Sequence, residues 1–204
     1  MTDLTLFHAP KTRSFGTLLL LEELGVPHDL QVLDFAKEEQ LGPAFRSVNP
    51  LGKVPTIRHR GAVVTEQVAI ALYLADEFPE KGLAPPVGDA LRGPYVRWMV
   101  FYAACFEPAM VDRAQQRDAG RRMMSPYGDF DTVMQTVNAQ VAGGPWFLGE
   151  RFTAADVIWG TALDWMTRFK VVPGTPEIAA YVGRVTARPA MQRARAREDA
   201  LSPG

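Results

Sequence analysis

Hydroxyls and a cation crowd one short stretch, "HAPKTRSFGTLLLLEELG" at residues 8–25, and together they could hold an anion. Thr12, Arg13 and Ser14 stand between an apolar run ending at Phe7 and a leucine-rich helical pattern starting near Phe15. The mouth of a helix offers free N–H groups and the positive end of the dipole, so side-chain and backbone donors can converge there. Ser14 ranks first because it can take the N-cap, where hydroxyl and free amides point at one spot. Thr12 ranks second, and Arg13 could add charge. The plainer alternative is a helix cap beside a solvated arginine.

Two further stretches suit an extended ligand with an amino-acid end. In "GKVPT" (52–56) Pro55 precedes an extended run, forces Val54 out of the helical region and donates nothing to a ladder. A cis bond at such a proline would present the Val54 N–H and C=O to a peptide-like partner, as an added strand takes them. Taken alone, the plainer reading is a proline that simply opens a strand. In "TEQVAI" (65–70) Glu66 and Gln67 open a helix whose free amides suit a carboxylate, while the Glu66 side chain suits an ammonium. Here the plainer reading is Thr65 as a cap and Glu66 as a complement to the dipole.

Other notable residues read as structural. Thr153 and Asp156 have capping-box spacing ahead of an apolar run. Met99, Tyr102, Phe106 and Trp165 belong to aromatic and methionine stripes on two long helices. Most such residues build a core, and a minority could line a hydrophobic pocket facing the first domain. His8, His28 and His59 have no metal-ligand spacing, and no glycine-rich phosphate loop is present, so neither metal nor nucleotide is expected. Cys105 sits in an apolar run and reads as a small core residue.

These residues need elements to position them. "LTLF" (4–7), "HDLQVLDF" (28–35), "TIRH" (56–59) and "AVVT" (62–65) read as strands, the last two joined by a tight turn at Arg60-Gly61. Helical spacing covers 15–24, 40–48 and 66–78, giving a βαβαββα order and a small mixed sheet with helices on its faces. Gly25 stops the first of these helices. A proline- and glycine-rich linker follows within 78–94, and everything beyond it reads as helix, near 89–118, 129–142, 153–169, 175–187 and 189–198. The expected division is an α/β domain over 1–80, a linker over 81–88 and an all-α domain over 89–204.

Composition narrows the class. The chain has 204 residues, 47% of them hydrophobic, with 22 basic against 23 acidic side chains. Near-balanced charge argues against a nucleic-acid partner. One cysteine cannot close an internal disulfide, which fits a reducing compartment. No signal-peptide pattern opens the chain, and no apolar run approaches the roughly 20 residues a membrane span requires. A soluble, cytoplasmic protein is expected.

Taken together, "LLLLEELGVP", "NPLGKVPT", "VVTEQVAIALYLADEFP" and "GPWFLGERFTAADV", in this order and spacing, resemble the glutathione S-transferase family, closest to its bacterial cytosolic members. The resemblance covers essentially the whole chain. It implies a thioredoxin-like first domain, a helical-bundle second domain and a homodimer. It implies further that Val54, before Pro55, pairs with the cysteinyl backbone of glutathione, and that Glu66 and Gln67 hold its γ-glutamyl end. Gln67 stands where many members have serine. Lys53 is the candidate for the glycyl carboxylate. Ser14, Thr12 and Arg13 become candidates for stabilising the glutathione thiolate, which would attack a hydrophobic electrophile near Met99, Tyr102, Phe106 and Trp165. A protein dithiol mechanism is excluded, because "PKTRS" holds no cysteine. A glutathione-dependent disulfide reductase and a non-catalytic interaction module stay open as alternatives.

Overall fold

Strand β1 (Leu4–His8) forms where Leu4, Leu6 and Phe7 come together, and all three are buried in the computed structural model, which describes residues 2–201. Helix α1 (Ser14–Leu24) follows, and its leucines at 18, 19, 20, 21 and 24 are all buried. A helix buried on nearly every side needs neighbours on several sides: α1 packs on β1, on α3 (Gln67–Glu77) and on α9 (Pro189–Leu201). Gly25 closes α1 with φ of 64°, its N–H donating to the Leu21 carbonyl at 2.9 Å. That left-handed turn suits glycine.

Strand β2 (Asp29–Val32) pairs parallel to β1, while β3 (Thr56–His59) runs antiparallel to β1 and β4 (Ala62–Thr65) antiparallel to β3. The sheet order is β2-β1-β3-β4, the mixed sheet expected from the strand pattern. Both hairpin strands have the bounds read from sequence. Strand β2 is shorter than its alternation suggested, and the helix expected over 40–48 is only one turn, α2 (Pro43–Arg46), after two 3₁₀ turns. Pro43 suits a helix start, and Pro50 soon after it, which keeps Asn49 out of the helical region, leaves little chain to propagate it.

Contacts divide the chain into two units: one holds everything up to Lys81 together with the chain from Ala187 on, the other Gly82–Thr186. The grouping differs from the division at residue 89, because the last helix packs with the first unit. Arg188 pairs with Glu23, and Arg193 and Arg197 pair with Glu22. Such half-exposed pairs contribute about 0–1 kcal/mol each, so buried Ala190, Met191 and Ala194 carry most of the docking. Burial pushes the Glu22 carboxyl up, but the Arg197 and Arg193 guanidiniums together outweigh it and hold it below its ordinary range.

The second unit comprises α4 (Arg92–Phe101), a π turn at Tyr102–Phe106, α5 (Glu107–Ala114), α6 (Phe130–Ala142), α7 (Ala154–Arg168) and α8 (Pro176–Thr186). The single helix expected over 89–118 is thus interrupted by a wider turn. Trp159 sits at the centre, its ring 4.7 Å from those of Phe106 and Phe147 and 5.3 Å from that of Tyr102. Asp156 caps α7 from the inside: Oδ2 accepts from the Thr153 N–H at 2.9 Å, and Oδ1 from the Phe147 N–H at 2.8 Å. Burial nevertheless pushes its carboxyl up to about 6. Cys105 is half-buried, not core, because the π turn brings it beside the chain at Pro126, where Sγ lies 3.4 Å from the carbonyl.

Candidate functional site

One row of the sheet sets the site. Phe7 of β1 faces Thr56 of β3, and Thr56 faces Thr65 of β4. The chain leaves β1 just beyond this row into the 8–14 loop. It enters β3 from Val54-Pro55 and leaves β4 into Glu66-Gln67. All three stretches singled out by their chemistry therefore emerge at one end of one sheet.

In the 8–14 loop the two hydroxyls have unequal positions. Arg13, not Ser14, is the residue that precedes the helix, and its side chain makes no cap. Ser14 is the first residue of α1 and is wholly buried, with its hydroxyl turned back onto β1. Ser14 Oγ lies 2.8 Å from His8 Nδ1 and 2.7 Å from Thr12 Oγ1, and accepts from the Ala9 N–H at 3.2 Å. The expected N-cap role of Ser14 is therefore corrected: the cap position falls one residue earlier, and the hydroxyl serves the interior. Thr12 is half-buried and donates to the Ala9 carbonyl at 2.7 Å, while Arg13 is exposed. Of the two hydroxyls, Thr12 is the one with an open side.

The 49–56 loop is held by residues that the sequence did not single out. Buried Asn49 donates to the Lys53 carbonyl at 2.9 Å and to Thr56 Oγ1 at 3.0 Å, and its Oδ1 accepts from the Leu51 N–H at 3.1 Å. The asparagine side chain thus does the work of several backbone turns. Val54 is half-buried against Phe7, Leu33 and Phe45, its bond to Pro55 is cis, and Lys53 is exposed.

At α3 the N-cap is Glu66, with φ of 65° and no capping side chain, so Thr65 does not cap this helix. A non-glycine residue held at positive φ is a local outlier of the kind that marks sites. The exposed Glu66 side chain and the uncapped first turn face the same end of the sheet. Gln67 Nε2 donates to the Arg13 carbonyl at 3.2 Å, joining the mouth of α3 to that of α1. Its Oε1 is buried without a hydrogen-bond partner.

The four residues expected at an electrophile pocket separate. Met99 and Phe106 are 0% exposed and Tyr102 3%, packed into the core of the second unit, whereas Trp165 is 48% exposed and meets Phe169 at a tilt of 51° with ring centroids 4.6 Å apart. The first three are corrected to core: they face the helix neighbours that their spacing demands. Tyr102 additionally donates its hydroxyl to Glu107 Oε1 at 2.6 Å.

Comparisons with known proteins agree with this architecture. A sequence profile described as "Glutathione S-transferase, N-terminal domain" matches residues 13–77, and one described as "Glutathione S-transferase, C-terminal domain" matches residues 125–189. Glutathione S-transferase GstA of Escherichia coli O157:H7 is 30% identical over 192 residues, spanning 93% of this chain and 96% of that protein. A glutathione transferase crystal structure from Methylococcus capsulatus has a TM-score of 0.81 at 30% identity, covering 97% of this chain and 100% of that one. A sphingomonad glutathione S-transferase complexed with glutathione gives 0.80 at 28% identity, covering 97% and 100%. The first unit is thioredoxin-like and the second is the helical domain that follows it in these relatives. With both halves matched and relatives alike along nearly their full length, this chain belongs to the glutathione S-transferase family.

Proposed function

We propose that the protein is a glutathione transferase that binds glutathione along the entry to β3 and stabilises its thiolate at Thr12. The observation carrying this reading is the Phe7–Thr56–Thr65 row, which gathers the 8–14 loop, Val54 and Glu66-Gln67 at one sheet end. The half-exposed Val54 backbone pairs with the cysteinyl unit. Glu66 takes the ammonium of the γ-glutamyl end, and the uncapped first turn of α3 takes its carboxylate. Gln67 Oε1 is an acceptor with its capacity unused. Lys53, exposed on the same loop, pairs with the glycyl carboxylate.

Magnitudes support a one-hydroxyl mechanism. Lowering a thiol pKa by about two units requires roughly 2.7 kcal/mol. A hydrogen bond to a charged group contributes about 1.5–3 kcal/mol, and a helix N-terminus about 0.3–1 kcal/mol. Thr12 at the mouth of α1 therefore suffices, with Arg13 adding exposed and screened charge. Ser14 stands behind Thr12 as support. The thiolate sulfur attacks an electrophilic carbon, the leaving group departs with the electron pair, and the thioether conjugate is released. The electrophile is hydrophobic, and the working protein is a homodimer.

Retention on immobilised glutathione, followed by conjugation of glutathione to an activated aryl halide, tests the reading. Retention with thioether formation is expected. Failure to bind glutathione at millimolar concentration overturns it, and disulfide reduction without conjugation moves the chemistry to a glutathione-dependent reductase.

A further inference from the structure

We infer that Glu198, near the end of α9, is a positioning residue for the thiolate-binding loop, acting through the Lys11 amide and His8. The inference rests on the proposed role of Thr12. Glu198 Oε1 accepts from the Lys11 N–H at 2.5 Å, and Glu198 Oε2 lies 2.9 Å from His8 Nε2, an ion-pair distance outside hydrogen-bond alignment. His8 is wholly buried at the end of β1, and its other ring nitrogen lies 2.8 Å from Ser14 Oγ. Ser14 Oγ is in turn 2.7 Å from Thr12 Oγ1. One carboxylate thus grips both the backbone of the loop and the base of its hydroxyl network.

Each contact has a reason to matter. Lys11 has φ of 61°, a left-handed conformation that a non-glycine residue keeps only when its surroundings impose it. The residue it precedes is Thr12, so releasing the Lys11 amide frees the Thr12 hydroxyl to move. At His8, the negative charge of a carboxylate 2.9 Å from Nε2 favours the tautomer with its proton on that nitrogen, which leaves Nδ1 to accept from Ser14. Ser14 then donates to His8 Nδ1 at 2.8 Å, the shorter of its two contacts with an acceptor beside the Ala9 carbonyl at 3.1 Å, and receives the Ala9 N–H. The Thr12 proton, which rests on the Ala9 carbonyl at 2.7 Å, is then the hydroxyl proton that turns to a bound sulfur. Docking of α9 does not depend on Glu198, since buried Ala190, Met191 and Ala194 carry most of it and Arg193 and Arg197 add their pairs with Glu22. A Glu198 variant should therefore fold.

Glu198→Ala and Glu198→Gln are compared with the wild type for conjugation kinetics, for the ultraviolet band of bound glutathione thiolate against pH, and for hydrogen exchange at the Lys11 amide. In Glu198→Ala, kcat falls by about tenfold, within the range seen when orienting partners are removed. The KM for glutathione stays within about twofold, the thiolate band moves to higher pH, and Lys11 exchange quickens on the order of tenfold. Glu198→Gln keeps an acceptor for the Lys11 N–H and so keeps its protection and part of the lost kcat. A folded Glu198→Ala with wild-type kcat and an unmoved thiolate band overturns the inference. So does a loss of activity that tracks folded fraction alone, or Lys11 exchange unchanged from wild type. Absence of a thiolate band in the wild type instead overturns the reading of Thr12 beneath it.

Discussion

Thr12 and Ser14 lie two positions apart and carry the same functional group, yet burial gives them different work. Thr12→Ala should lower kcat about tenfold to a hundredfold with folding intact, the loss of roughly 1.4–2.7 kcal/mol of transition-state stabilisation; steady-state kinetics with a thermal melt checks both halves. Ser14→Ala should instead destabilise the fold by about 1–3 kcal/mol, because His8 Nδ1 and the Ala9 N–H lose a buried partner. Equilibrium denaturation measures that cost. The hydroxyls and their place between strand and helix were legible in the sequence, but their order was not. Rank depended on which residue takes the N-cap, and helix starts read from pattern are uncertain by a residue or two. Asn49 was invisible for another reason: an asparagine in a loop becomes informative only when its three partners are seen. Glu198 stands 187 positions from Lys11, a separation that no local pattern spans.

At the scale of elements, α7 carries the sharpest expectations. Asp156 has an ordinary value of 3.8 and is pushed by burial to about 6 in the fold. A group raised on folding contributes stability that is fully present below its unfolded value and lost as pH rises through its folded one. The Asp156 contribution is thus complete below about pH 4 and declines through pH 6 by about 3 kcal/mol. Denaturant titrations at pH 4 and pH 7 should show the margin of wild type over Asp156→Asn narrowing as pH rises. A different constraint acts at Gly160, where an added Cβ would meet Val185 Cγ1 at 2.6 Å. Gly160→Ala should cost about 1–3 kcal/mol through overpacking between α7 and α8, read as a lowered melting temperature. The capping pair and hairpin strands were legible because their signals are local. The π turn after α4 was not, since Tyr102–Phe106 keeps ordinary helical spacing and only packing against Trp159 distinguishes it. Helix α9 was legible as a helix, but not as part of the first unit, because Ala190, Met191 and Ala194 pack against α1, far upstream in the sequence.

For the whole molecule, the family follows from both halves of the chain, and the proposed chemistry follows from one end of one sheet. Among the described residues no helix is long and apolar enough to cross a membrane. Glutathione that binds the folded chain alone should stabilise it by about 2.7 kcal/mol at a hundred times its Kd, a shift that thermal melts at increasing glutathione will show. The central claim is narrower than binding: the folded protein holds the glutathione thiol as a thiolate, and Thr12 does so. Its most direct test is the ultraviolet difference spectrum of glutathione bound to wild type and to Thr12→Ala, followed against pH. The thiolate band should appear in the wild type about one to two pH units below its position for free glutathione, the equivalent of roughly 1.4–2.7 kcal/mol, and return toward the free value in Thr12→Ala. A band that appears at the same pH in both proteins while both bind glutathione would contradict the account.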